Sequence, residues 1–236
     1  MTISNDTRGR VRKLGEPIAL ALGRLGLTPD GLTLVGFVIT AIGAVLLANQ
    51  LWLAGGLVVF VGAAFDMFDG VLARATGRVS RFGAFLDSVL DRSGEALVYL
   101  GIVWGTLDLG LWHPVIFAAA AMASAFMVSY TRAKSEGLGF SSGTGMAAIG
   151  LAPREVRIVI LTIGLVIAGI LPGFPGDMDI PGARAYPLSA LALVAALGLI
   201  AILGTITVIQ RILHTRDQAR QQERAQAARE ALERPS

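Results

Sequence analysis

The sequence has no cysteine and only 2 histidines in 236 residues. Without cysteine there are no disulfide frameworks, no thiolate metal sites and no cysteine nucleophiles. The two histidines, His113 and His214, stand at the ends of apolar runs without ligand spacing, which suits interfacial placement better than metal ligation. Charge is also scarce, at 16% of residues, where soluble domains carry about 25%. Hydrophobic residues make up 54% of the chain, more apolar surface than a water-soluble globule of this length can hide. The composition therefore predicts an integral membrane protein. No basic stripe carries interleaved stacking aromatics, so nucleic-acid binding is not favoured. The formal net charge is only +3, so the placement of charges matters more than their sum.

What the chain does have is long apolar runs. A membrane-spanning helix needs about 20 mostly apolar residues. About six candidate spans follow: Leu32 to Ala48, Leu51 to Ala75, Phe82 to Thr106, Val115 to Thr131, Val156 to Leu171 and Leu188 to Leu213. The expected fold class is all-α, a polytopic membrane protein. Ahead of the first span, Val11, Leu14, Ile18 and Leu25 recur near helical spacing behind Arg8, Arg10, Arg12 and Lys13, which predicts an amphipathic helix on an anionic membrane surface. This segment lacks the apolar core and cleavage site of a signal peptide and is expected in the mature protein. The expected organisation is a juxtamembrane segment at 1–30, a six-helix membrane domain at 31–214 and a charged tail at 215–236. Arg74, Arg78 and Arg81, then Arg132, Lys134, Arg154 and Arg157, then Arg211, Arg216 and Arg220 fall in alternate loops and the tail. By the positive-inside rule both termini and the two basic loops face the cytoplasm, which places the protein in the cell membrane. The proline- and glycine-rich segment from Pro172 to Pro187 reads as an outer loop.

Against this apolar background one stretch is acidic. Asp66, Asp69, Gly70, Ala73 and Arg74 share one helical face of the second span, and Gly83, Asp87 and Asp91 share one face of the third. The short intervening loop predicts antiparallel neighbours whose acidic stripes converge near the cytoplasmic end. Four unpaired aspartates at a bilayer centre would cost on the order of 10 kcal/mol, so something must offset them. Carboxylate-only donors select a hard cation, Mg²⁺ or Mn²⁺. Gly70, Ala73 and Gly83 leave room for a ligand or an opposing backbone, and Arg74 is suited to a phosphate oxygen.

These residues fill every specified position of D-x2-D-G-x2-A-R-x8-G-x3-D-x3-D, a coincidence expected on the order of once in 10⁹ to 10¹⁰ start positions. The chain thereby resembles the CDP-alcohol phosphotransferases. The Thr28-Pro29-Asp30 entry to the first span and the six-span layout are similar to that family as well. The resemblance implies transfer of a phosphatidyl group from CDP-diacylglycerol, or a related CDP-lipid, to an alcohol, with release of CMP. It further implies two metal ions on the diphosphate, with Asp66, Asp69 and Asp87 as ligands and Asp91 as ligand and general base. Gly70, Ala73, Arg74 and Gly83 would line the CDP-lipid site, and a homodimer is implied too.

A second set of charges sits at the same membrane face. Arg132 ends the fourth span, Arg154 and Arg157 open the fifth and Arg211 ends the sixth. Such a cluster suits an anionic acceptor, a sugar or polyol phosphate. The placement is similar to that in phosphatidylinositol phosphate synthases, although Arg132 stands where lysine is usual and Pro153 where glutamate is usual. Inositol phosphate is the expected acceptor, with glycerol phosphate or another polyol as the alternative. Lys134 is assigned to topology alone, and Arg92 with Glu95, three residues apart, to an internal ion pair. A reading of another class, a divalent-cation transporter, needs a polar path to the outer face. The outer halves of the spans offer almost no charge, and Arg74 would repel the cargo.

Overall fold

The computed structural model describes residue 17 and residues 19–140, 149–171 and 188–233. All regular structure among them is helical, with no strand. Six helices follow in order: α1 Pro29–Ala48, α2 Trp52–Ala75, α3 Arg81–Asp108, α4 Trp112–Gly137, α5 Arg154–Ile170 and α6 Leu188–Glu233. Most of the expected amphipathic segment, including Arg8, Arg10, Val11, Arg12, Lys13, Leu14 and Ile18, lies outside the described residues, as does the outer loop from Pro172 to Pro187. Residues 19–24 are helical, and Ala19 is buried in a small cluster with Leu32 and Leu72.

Local chemistry sets the helix starts. The Thr28 hydroxyl accepts from the Gly31 N–H at 3.1 Å, with Pro29 in the first turn. Ser80 caps α3 in the same way, accepting from the Gly83 N–H at 2.8 Å. Between α2 and α3, Gly77 adopts φ +67°, which a side chain would strain, so the reversal is made in a few residues. Four helices are long and apolar enough to cross a membrane: α1, α2, α4 and α6 over residues 188–227. α3 carries Asp87, Asp91, Arg92 and Glu95, and α5 has 17 residues, so these two are less plainly apolar spans. α6 runs unbroken across the boundary expected at 214 and 215. Its 46 residues extend about 69 Å, well past a hydrocarbon core of about 30 Å.

The principal helix contacts close into a ring, α1–α2–α5–α6–α4–α3 and back to α1. One core fills its centre with residues from every helix, among them Leu47, Trp52, Ile102, Ala121, Leu165 and Leu197. Here the structure departs from the sequence expectation. α2 and α3 share no extensive interface, because α1 lies between them and packs on both. Small residues make that possible. A Cβ at Gly36 would strike the Asp66 carboxylate, one at Gly43 would lie 2.7 Å from Val59, and one at Gly101 would strike the Ala44 carbonyl. Helices that meet in lipid gain their contact from such close backbone approach. The opposite face of α1, Leu34, Val38, Ile42 and Val45, is exposed and suited to lipid.

Candidate active site

The ring brings the two acidic stripes together across α1. α2 supplies Asp66 and Asp69, and α3 supplies Asp87 and Asp91. Asp69 lies in the electrostatic field of Asp66 and Asp87, and Asp91 in that of Asp66 and Asp87. Asp69 is 6% exposed, and its Oδ2 accepts from the Thr33 hydroxyl of α1 at 2.5 Å. Thr33 follows the Thr28-Pro29-Asp30 entry by one helical turn, and that spacing is the only sequence signal that could have found it. Asp30 also approaches from α1, since a Cβ at Gly83 would lie 2.9 Å from its Oδ1. Gly83 thus admits the start of α1 against the start of α3. Gly70 and Ala73 continue the α2 stripe, and the Arg74 guanidinium folds back over Gly70, within 3.4 Å of where a Cβ would stand.

α5 contributes the bridging cation. Arg154 donates from Nη2 to Asp66 Oδ2 at 2.8 Å, and its Nη1 lies 2.6 Å from Asp91 Oδ1 as an ion pair outside hydrogen-bond alignment. The network continues along α3. Arg92 contacts Asp91 Oδ2 and Glu95 Oε2, each at 3.4 Å, and donates to the Ser129 hydroxyl of α4 at 2.6 Å. Glu95 in turn receives two hydrogen bonds from Arg157, at 2.9 and 2.8 Å, while Arg157 Nη1 donates to the Ala152 carbonyl at 2.9 Å. The expected Arg92–Glu95 pair is therefore present. Glu95 also extends the α3 stripe of Gly83, Asp87 and Asp91 by one more turn, a periodicity legible in the sequence.

The four arginines expected to hold an acceptor are not equivalent in the structure. Arg154 touches the acidic cluster. Arg157 is 1% exposed, and all three of its guanidinium nitrogens are bonded within the protein. Arg211 is also buried and donates to the carbonyls of Ile149, at 3.0 Å, and Val128. Arg132 lies half-exposed at the surface and pairs with Glu136 at 2.9 Å. Arg211 still lies in the field of Arg92, Arg132 and Arg157, so a positive region adjoins the acidic one. The burial of Arg157 yields a prediction. Arg157→Ala strips Glu95, only 10% exposed, of its two shortest hydrogen bonds and leaves it the longer contact with Arg92 at 3.4 Å. The expected loss is about 3 to 5 kcal/mol of stability, read as a large fall in the thermal unfolding midpoint of the detergent-solubilised protein.

The profile described as CDP-alcohol phosphatidyltransferase matches residues 26–216. The chain belongs to the CDP-alcohol phosphatidyltransferase family. It is thus a transferase of phospholipid synthesis, and its apolar helices together with the family make it an integral membrane protein. Among its relatives, the archaetidylinositol phosphate synthase of Pyrococcus horikoshii is 40% identical over 156 residues, 66% of this chain and 78% of that protein. The phosphatidylinositol phosphate synthase of Mycolicibacterium smegmatis is 39% identical over 173 residues, covering 72% and 74%. The crystal structure of the Mycobacterium tuberculosis phosphatidylinositol phosphate synthase with CDP-DAG bound superposes with TM-score 0.70 at 30% identity, covering 86% of this chain and 94% of that one. A second structure of that enzyme is a complex with manganese and citrate.

The family uses divalent metals, and the donor set here fits one. The network gathers five carboxylates, Asp66, Asp69, Asp87, Asp91 and Glu95, around three guanidiniums, Arg92, Arg154 and Arg157. Among the described residues Asp69 and Asp87 form no ion pair, and every available donor is a hard oxygen. Among the described residues, no three acidic or histidine side chains are gathered around one point, and Arg154 spans two of the four aspartates.

Proposed function

We propose that this enzyme transfers the phosphatidyl group of CDP-diacylglycerol to a hydroxyl of inositol phosphate, releasing CMP. In this reading all six helices cross the cell membrane, the enzyme is a homodimer, and the active site and both termini face the cytoplasm. Residues 1–30 form the juxtamembrane segment, 31–214 the membrane domain and 215–236 the cytoplasmic tail. Asp66, Asp69, Asp87 and Asp91 hold two Mg²⁺ or Mn²⁺ ions, and Gly70, Ala73, Arg74 and Gly83 line the CDP-lipid site. The observation that carries the proposal is the joining of Arg154 to Asp66 and Asp91. It sets a guanidinium, a group suited to phosphate, against the carboxylates of a complete family motif. Two of the relatives, named as inositol phosphate lipid synthases, support the choice of acceptor.

The chemistry follows from the placement. The acceptor hydroxyl attacks the phosphorus that bears the glyceride, an oxygen–phosphorus bond forms, and the bond to CMP breaks. Asp91 takes the hydroxyl proton, a role that contributes about 10² to 10⁴ in rate where the carboxylate lies in hydrogen-bond reach. Bound divalent ions supply charge stabilisation on the diphosphate and on the leaving CMP. Arg154 faces the acceptor phosphate, with Arg132 and Arg211 extending the positive region and Arg157 completing it from beneath. Arg74, exposed at the end of the α2 stripe, is placed for a diphosphate oxygen.

The test uses purified protein in lipid nanodiscs with CDP-diacylglycerol and Mg²⁺. Inositol phosphate is expected to release CMP faster than glycerol phosphate, and free inositol and serine are expected to release almost none. Equal rates with free inositol would overturn the phosphorylated-acceptor assignment, and a glycerol phosphate preference would replace the acceptor.

A further inference from the structure

The proton acceptor of the proposed reaction is already engaged. Both oxygens of Asp91 face guanidiniums, Oδ1 at 2.6 Å from Arg154 and Oδ2 at 3.4 Å from Arg92. The same Arg154 side chain covers Asp66 Oδ2 at 2.8 Å. While it sits there, an acceptor hydroxyl cannot reach Asp91 Oδ1, and a divalent ion placed against Asp66 and Asp91 meets a like charge between them.

Arg154 and Arg157 stand one turn apart on α5 but differ in how firmly they are held. Arg157 is 1% exposed and bonds through all three nitrogens, which makes it a fixed strut. Arg154 is 21% exposed and opens α5, and its buried Nε has no hydrogen-bond partner. Its side chain also lines a small cavity of about 30 Å³ with Thr40, Glu95, Tyr99 and Arg157. A side chain with two of its three nitrogen positions used and partial exposure to solvent can change partners.

We propose that Arg154 is a specificity latch, covering Asp91 and Asp66 until the phosphate of the acceptor draws it away. A phosphate offers several acceptor oxygens and more than one negative charge, so it competes for a guanidinium that two carboxylates now share. A neutral alcohol or water offers no such competitor and leaves Asp91 covered. The latch thereby selects phosphorylated acceptors and suppresses hydrolysis of the CDP-lipid. It rests on the reading above, in which the acceptor is phosphorylated and Asp66 and Asp91 are ligands.

The first measurement is Mn²⁺ binding to the full chain in nanodiscs, followed by electron paramagnetic resonance without CDP-lipid. Arg154→Gln is expected to bind Mn²⁺ about tenfold more tightly than the unmodified protein, the smaller end of what residues neighbouring a metal site do to affinity. Inositol phosphate is expected to tighten Mn²⁺ binding in the unmodified protein and to have no such effect in Arg154→Gln, as reciprocal linkage requires. Arg154→Lys keeps the charge but cannot span both carboxylates, and its affinity is expected to fall between the two, which guards against a folding defect in the glutamine variant. The second measurement is acceptor-free CMP release. Water attacks the glyceride-bearing phosphorus, the bond to CMP breaks, and the proton passes to Asp91, giving phosphatidic acid and CMP. This rate is expected to rise severalfold in Arg154→Gln. Mn²⁺ affinity that is unchanged or weaker in both variants overturns the latch. If inositol phosphate drives CMP release yet leaves Mn²⁺ affinity unaltered, the latch fails while the acceptor assignment stands. If it drives no CMP release in the unmodified protein, the acceptor assignment itself fails.

Discussion

Asp91→Asn is expected to lower CMP release with saturating acceptor by about 10³-fold, within the range that general-base catalysis contributes. Asparagine keeps the volume of the side chain but can neither take the hydroxyl proton nor hold a cation with a full charge. The fold should survive. Arg92 keeps its hydrogen bond to Ser129 at 2.6 Å and its contact with Glu95, and Arg154 keeps Asp66 at 2.8 Å. Size-exclusion elution and the thermal midpoint in detergent are therefore expected to stay near those of the unmodified protein. A variant with more than a tenth of normal turnover would remove Asp91 from the role of base.

Chelation is expected to be as severe. Dialysis against EDTA should bring phosphatidyl transfer to background, and Mg²⁺ or Mn²⁺ should restore it, whereas Na⁺ or K⁺ should not. The physical reason lies in the charge of the network, where among the described residues five carboxylates face three guanidiniums, and Asp69 and Asp87, which form no ion pair, are buried or half-buried. A monovalent ion neutralises too little and binds carboxylate oxygens too weakly to hold a diphosphate. Metal should also raise the thermal midpoint, since a ligand at about 100 times its dissociation constant adds about 2.7 kcal/mol to the folded state. Activity that persisted through chelation would refute the ligand role of Asp66, Asp69, Asp87 and Asp91.

Much of the helix plan was legible because run length and apolarity are local properties. The first two spans, expected over Leu32 to Ala48 and Leu51 to Ala75, form as Pro29–Ala48 and Trp52–Ala75. Ends were harder where charged residues continue a helix past the apolar run. The fourth, expected to stop at Thr131, continues to Gly137, and the sixth, expected to stop at Leu213, continues to Glu233. Hydropathy registers the solvent along a helix, whereas its backbone hydrogen bonds continue through polar residues just as well.

The candidate site divides along the same line. The aspartate spacing, with Gly70, Ala73, Arg74 and Gly83, is a property of single helices and could be read directly from residue numbers. The arginines gave less. Arg132, Arg154, Arg157 and Arg211 look alike as cations near one membrane face, yet their exposure ranges from 50% for Arg132 to 1% for Arg157. A residue's charge is written in the sequence, but whether a carboxylate, a backbone carbonyl or water receives it depends on which helices meet.

By itself, then, the sequence determined a membrane-embedded helical chain, the hard-cation chemistry of its acidic stripes and its likeness to an enzyme family. Each of these depends on composition or on short periodic spacing. Only the tertiary structure decided that α1 stands between α2 and α3, that Thr33 serves Asp69, that Arg157 is a buried strut and that Arg154 lies across Asp66 and Asp91. In lipid, helices apolar all round carry no single hydrophobic face to announce their partners. Close approach at small residues such as Gly36, Gly43 and Gly101 chooses the neighbours, and the neighbours choose the ion pairs.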